Sequence, residues 1–125
     1  MVAGRLAGAA LAKAMLAFSP PNVVERVLAS GLEPRTSRTI VDPNVFREEL
    51  CRVAARGYAV DDEEFAEGMR CCAAPVLAGG PGSGAGAVGA VSVTGSTSDV
   101  NAIVLVPPIV RATAGIAAQF VGGAP

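Results

Sequence analysis

The sequence predicts one small α+β domain, an antiparallel sheet flanked by helices, and three observations carry that reading. The acid–proline pair Asp42-Pro43 opens an amphipathic run that ends at Gly57. Two apolar runs follow, Met69–Leu77 and Ala87–Thr94, joined by the glycine-rich stretch AGGPGSGAG. Segments with helical periodicity stand on either side of this block. A chain of 125 residues supports one compact domain.

Taken in order, residues 5–18, RLAGAALAKAMLAF, are rich in strong helix formers and set Leu11, Met15 and Phe18 at helical spacing. Ser19-Pro20-Pro21 stops that helix. A second helix is expected over Asn22–Ser30, capped by Asn22, with Val23, Val24, Val27 and Leu28 inward. Gly31 then stands where a left-handed C-terminal residue is wanted. Glu33–Val41 reads as an irregular connection.

At Asp42-Pro43 an acid takes the cap position and proline the first helical one. Phe46, Leu50 and Val53 follow at i, i+4, i+7, while Arg47, Glu48, Arg52 and Arg56 lie off that stripe. Tyr58–Val60 and Met69–Leu77 read as strands on either side of four consecutive acids, Asp61 to Glu64. The loop Ala78–Gly86 joins two antiparallel strands. In Ala87–Thr94, Val91 and Val93 face one way and Ala90, Ser92 and Thr94 the other. Gly95–Asp99 is a turn, and to about Val121 the pattern is helical, kinked or delayed by Pro107 and Pro108.

Composition closes several function classes. Apolar residues make up 51% of the chain but aromatics only 4%, so the core is built from alanine and valine and is thin per residue. A net charge of −1, with arginines scattered among acids, leaves no basic patch for nucleic acid. The absence of histidine excludes a Ser-His-Asp triad and a Cys-His pair. Three cysteines, two of them adjacent, make neither a disulfide framework nor a CxxC zinc site. Reduced thiols in a cytoplasmic protein are expected. Met1–Ser19 has a faint signal-peptide look that Lys13 interrupts. Ala102–Val110 is apolar, yet the proline pair and Arg111 leave it short of the roughly 20 residues of a membrane span. No membrane association and no cofactor are expected.

The chemistry concentrates in Gly57–Val76, GYAVDDEEFAEGMRCCAAPV. The period of two puts Met69, Cys71 and Ala73 on one sheet face and Arg70, Cys72 and Ala74 on the other. An antiparallel neighbour would add Ala90, Ser92 and Thr94 to one face, where a thiol, two hydroxyls and alanines build a shallow cavity for a small polar ligand. Asp61 would stand at its rim. Each residue also has a plain reading: cysteine packs as a small hydrophobe, Ser92 and Thr94 suit any strand, and an acidic run is a solvated turn or helix cap. DDEEFAEG lacks the alternating ligand spacing of a calcium loop.

The order of motifs resembles one family. Gly31-Leu32, Thr36, Thr39-Ile40, Asp42-Pro43, Arg56-Gly57-Tyr58, Asp61 to Glu64 and Gly68-Met69-Arg70-Cys71 match, in order and spacing, the effector-binding domain of the isocitrate lyase regulator (IclR) family of bacterial transcription regulators. Ala90–Gly95 looks like that family's next strand, and Ala12–Phe18 like its G-K-A helix. The resemblance is strongest over about residues 5–97, with 98–121 as the C-terminal helix. It implies a partial GAF-like fold that binds a small organic acid beside the sheet, without catalysis. Asp61, Met69, Cys71, Ser92 and Thr94 fall at its pocket positions, and Ala10 and Leu11 at the wall supplied by the first helix. It also implies a homo-oligomer, dimer or tetramer, and DNA contact through a helix-turn-helix domain that this chain lacks. The first part of the effector domain is expected to be missing too, which would leave a strand edge open to another chain.

Overall fold

The computed structural model describes residues 9–80, 84 and 86–122, with side chains as far as Gln119. Along the described residues run α1 (Ala10–Leu16), α2 (Pro21–Ala29), α3 (Pro43–Arg56), β1 (Ala59–Asp62), β2 (Met69–Leu77), β3 (Ala87–Ser96) and α4 (Ala102–Gly122). The expected start of the first helix, residues 5–8, lies outside them.

Helix α3 forms as its ends dictate. Asp42 Oδ1 accepts from the backbone N–H of Asn44 at 2.8 Å and of Val45 at 3.3 Å, satisfying two of the orphan donors of the first turn. Gly57 closes the helix with φ +85°, a left-handed conformation that only glycine adopts readily. Phe46, Leu50 and Val53 are buried as expected. Helix α2 begins at Pro21 with Pro20 in the cap position, displacing Asn22 from that role, because proline's fixed φ suits the first turn. Its Val27 and Leu28 join Leu16, Phe46 and Leu50 in one apolar cluster.

The sheet is antiparallel throughout, in the order β1-β2-β3. Pairing sets Asp61 opposite Cys71, Cys71 opposite Thr94 and Ala73 opposite Ser92. The expected division of faces holds. Cys71 and Ala73 pack with Ala10, Ala14, Val53 and Ala59 beneath α1 and α3, while Cys72 and Ala74 pack with Val100 and Ile109 on the α4 side. β1 runs two residues further than expected, taking Asp61 and Asp62 into the ladder.

Two helices differ from expectation for physical reasons. In α1 the buried face is Ala10, Lys13, Ala14 and Leu16, while Leu11 is 44% exposed. The sheet surface below carries small side chains, Cys71 and Ala73, so close approach selects the alanine stripe of the helix. Helix α4 runs unbroken through Pro107 and Pro108 to Gly122. The carbonyls that these prolines leave without an amide donor belong to Ile103 and Val104, which are 87% and 64% exposed, where water can serve them. The unbroken helix also overturns the length argument against a span: Ala102–Gln119 has mean hydropathy 1.5 and is long and apolar enough to cross a membrane by length and composition. It nevertheless lays Ile109, Thr113 and Ala117 inward, and Ile109 packs against Cys72 and Ala74 of β2.

Candidate functional site

Asp61, Cys71 and Thr94 form one row across the three strands, with Ala59, Ala73 and Ser92 as the next row. Ala10, fully buried on α1, packs over the Cys71–Ala73 stretch. Thr94 Oγ1 donates to Cys71 Sγ at 3.0 Å. Cys71 and Asp61 are buried, whereas Ser92 and Thr94 stand exposed along the outer strand. Met69, half-buried, closes the end of the row opposite Ser96. Leu11 is not drawn onto this face. The sheet face is therefore open at its β3 edge, where Ser92 and Thr94 stand exposed. Cavities of about 210, 260 and 370 Å³ lie around α4 and among α1, α2 and α3, and none of the residues Ala10, Leu11, Asp61, Met69, Cys71, Ser92 or Thr94 lines these three.

The acidic connection is not a solvated turn. Asp61 Oδ1 accepts from the N–H of Glu64 at 2.8 Å and of Phe65 at 3.2 Å, folding the chain back on itself. Asp62 takes Arg70 Nε at 3.1 Å. Glu63, at φ +60°, accepts from the Gly68 N–H through Oε1 at 2.8 Å. Glu64 turns inward to Lys13. Among the described residues no group of histidine, cysteine, aspartate and glutamate could hold a metal ion.

Lys13 is the residue that sequence reasoning missed. Its side chain is wholly buried, and Nζ donates to Glu49 Oε2 at 2.8 Å, to Val60 O at 2.8 Å and to Glu64 Oε1 at 3.1 Å. One ammonium thus ties α1 to α3, to β1 and to the acidic loop. A buried ammonium is stable only with such partners. The available signal was a single lysine between Ala10 and Ala14 on an otherwise apolar helix. Thr36 and Thr39, read as part of an irregular connection, clamp the same loop: their hydroxyls donate to Glu63 O and Glu64 O, each at 2.6 Å. Arg35 adds a bond to Phe65 O at 3.0 Å and stacks on the Phe65 ring at 3.9 Å.

Burial pushes the Asp61 and Glu64 carboxyls above their ordinary range, against the lowering by backbone amides at Asp61 and by Lys13 at Glu64. Burial works on Glu49 as well, but Lys13, Arg56 and Arg52 together hold that carboxyl below its ordinary range. Burial also raises the Cys71 thiol, and the Thr94 and Ser92 hydroxyls offset part of that. Cys71 is therefore a neutral thiol at physiological pH, suited to shaping and hydrogen bonding rather than to nucleophilic attack.

The site is thus a row of carboxylate, thiol and hydroxyl groups on one face of a small antiparallel sheet under helices. The family model for the bacterial transcriptional regulator IclR C-terminal domain matches residues 4–115, and the chain belongs to that family. The HTH-type transcriptional regulator BhcR of Paracoccus denitrificans is 42% identical over 90 residues, covering 70% of this chain and 30% of that protein. The chain spans a third or less of the length of the curated relatives it matches. An IclR transcriptional regulator from Alicyclobacillus acidocaldarius superposes with a TM-score of 0.80 at 26% identity, over 92% of this chain and 46% of that one. The inducer-binding domain of the PobR transcription factor from Acinetobacter, a double mutant in complex with 3-hydroxybenzoic acid, superposes with a TM-score of 0.74 at 26% identity, over 87% of this chain and 64% of that one.

Proposed function

We propose that this chain is the sensing domain of a cytoplasmic bacterial transcription regulator and that it binds a small organic acid without transforming it. The observation that carries the reading is the Asp61–Cys71–Thr94 row, in which a buried neutral thiol lies between a buried carboxyl and two exposed hydroxyls. The Ser92 and Thr94 hydroxyls donate to the ligand's carboxylate, with Thr94 turning away from Cys71 Sγ to do so. Cys71 and Met69 shape the floor, and α1 covers the site from Ala10. Asp61 keeps Oδ1 on the loop amides and accepts from a ligand hydroxyl. Such a ligand joins a carboxylate to a hydroxyl, as does the 3-hydroxybenzoic acid held by the PobR domain. DNA contact belongs to a helix-turn-helix domain outside these 125 residues, within a dimer or tetramer.

The test is calorimetric titration of the chain and of Cys71→Leu with 3-hydroxybenzoate and a panel of keto and hydroxy acids. The wild type binds one of these compounds, and the variant loses that binding while remaining folded, as a cooperative melt shows. Unchanged binding in a folded Cys71→Leu variant overturns the site. A second reading, a domain that assembles without sensing, draws on the exposed Ser92, Val93 and Thr94 of the outer strand. A concentration-dependent oligomer in sedimentation, unmoved by every acid in the panel, would favour it.

A further inference from the structure

Arg56 borders two cavities that flank α4. One, of about 370 Å³, is lined by Arg56, Tyr58, Val60 and the first turns of α4. The other, of about 210 Å³, opens where β1 gives out: β1 pairs no further than Ala59 with Ala73, and Pro75 and Leu77 beyond it form a wall facing Val110, Thr113 and Ala117 of α4. Arg56 lines both, so the two meet at its side chain and together make a groove whose α4 residues run from Ala102 to Ala117, about 22 Å at 1.5 Å per residue.

Every other lining residue is uncharged. The guanidinium is held in place: Nε donates to Tyr58 O at 2.8 Å, its carbon lies 4.8 Å from the Tyr58 ring centroid, and Nη2 is 3.9 Å from Glu49 Oε2. Its Nη1 has no partner among the described residues. A planar guanidinium anchored at Nε, one-third exposed and with Nη1 still to be paired, is complementary to a second carboxylate beside that of Glu49. A phosphate, with its higher charge, calls for further cations or a cluster of backbone amides, and the lining supplies no second cation.

We propose that this groove is a second ligand site, which takes a monocarboxylate with an unbranched apolar chain: the carboxylate on Arg56 and the chain along α4. No residue of the groove belongs to the Asp61–Cys71–Thr94 row, so the inference does not rest on the sensing proposal.

The experiment is amide-resolved NMR titration of the full chain with octanoate, and with 1-octanol as the neutral probe. Octanoate gives saturable shifts at Gly57, Leu77, Val106, Thr113 and Ala117, and 1-octanol binds at least tenfold more weakly. Arg56→Met weakens octanoate at least tenfold, and Arg56→Lys, which keeps the charge but not the fork, falls between. Equal binding of the alcohol, shifts confined to Asp61, Cys71 and Thr94, no saturable shift, or octanoate affinity unchanged in either folded variant overturns the site. The comparison of acid with alcohol on the wild type decides the matter if the Met variant fails to fold.

Discussion

The Lys13 ammonium lies 3.1 Å from Glu64 Oε1, although the two residues are 51 positions apart in the chain. This contact fixes the acidic loop against α1, and the loop in turn holds Asp61 at one end of the Asp61–Cys71–Thr94 row. The same nitrogen reaches Glu49 on α3, so the site rests on a charged joint between the helical layer and the sheet.

Removing one partner of that joint strands the others. Lys13→Met leaves Glu64 without a cation and Glu49 with only Arg52 and Arg56, and lowers stability by about 3–5 kcal/mol, the range for breaking a buried ion pair. Replacing all three with apolar residues of similar volume restores much of the loss. Urea denaturation measures both. A single variant within about 1 kcal/mol of wild type would refute the joint.

The threonine clamp acts locally. Thr36→Val and Thr39→Val each remove one hydroxyl donor from a loop carbonyl and lower stability by about 1 kcal/mol. Hydrogen exchange speeds up at the Glu64 and Phe65 amides, which Asp61 caps, and is unchanged in α4. Uniform acceleration along the chain would contradict a local role.

The pH dependence follows from the signs of the shifts. Asp61 and Glu64 have folded values above their unfolded ones, so the native state binds more protons, and stability falls as pH rises from near 3.8 and 4.5 through the raised values. Glu49, depressed, contributes stability that is lost as pH falls below its unfolded 4.5. Asp61→Asn removes one raised group, so its melting temperature gains on wild type between about pH 4 and pH 7. A relative decline over that interval would mean Asp61 is stabilised in its charged form.

The thiols should separate by accessibility. Cys51 is exposed, while Cys71 and Cys72 are buried with raised thiol values. Iodoacetamide followed by peptide mass spectrometry finds Cys51 alkylated first, and the other two at the rate of opening of the fold. Rapid labelling of Cys71 in the native protein would argue for a reactive thiol.

Much of the fold was legible because it is written in local signals. Asp42-Pro43, the Phe46–Leu50–Val53 stripe and Gly57 specify α3 without tertiary help, and the period of two divided β2 and β3 into faces, while the family resemblance supplied the grouping of Cys71 with Thr94. The misread elements depend on what lies opposite them. The alanine stripe of α1 is selected by the small residues of β2, and Lys13 is tolerated inside because Glu49 and Glu64 arrive from distant positions. The unbroken α4 could not be read from Pro107 and Pro108, since their effect depends on whether Ile103 and Val104 meet solvent. Of the site, the strand residues were visible and the Thr36–Thr39 clamp was not, because its acceptors are backbone carbonyls.

The most direct test of sensing is a thermal melt of the purified chain across a panel of small carboxylates. The account predicts a cooperative transition that one compound class raises progressively, by about 2.7 kcal/mol at a hundred times its Kd, as binding to the native state requires. A cooperative transition that no carboxylate moves would contradict it.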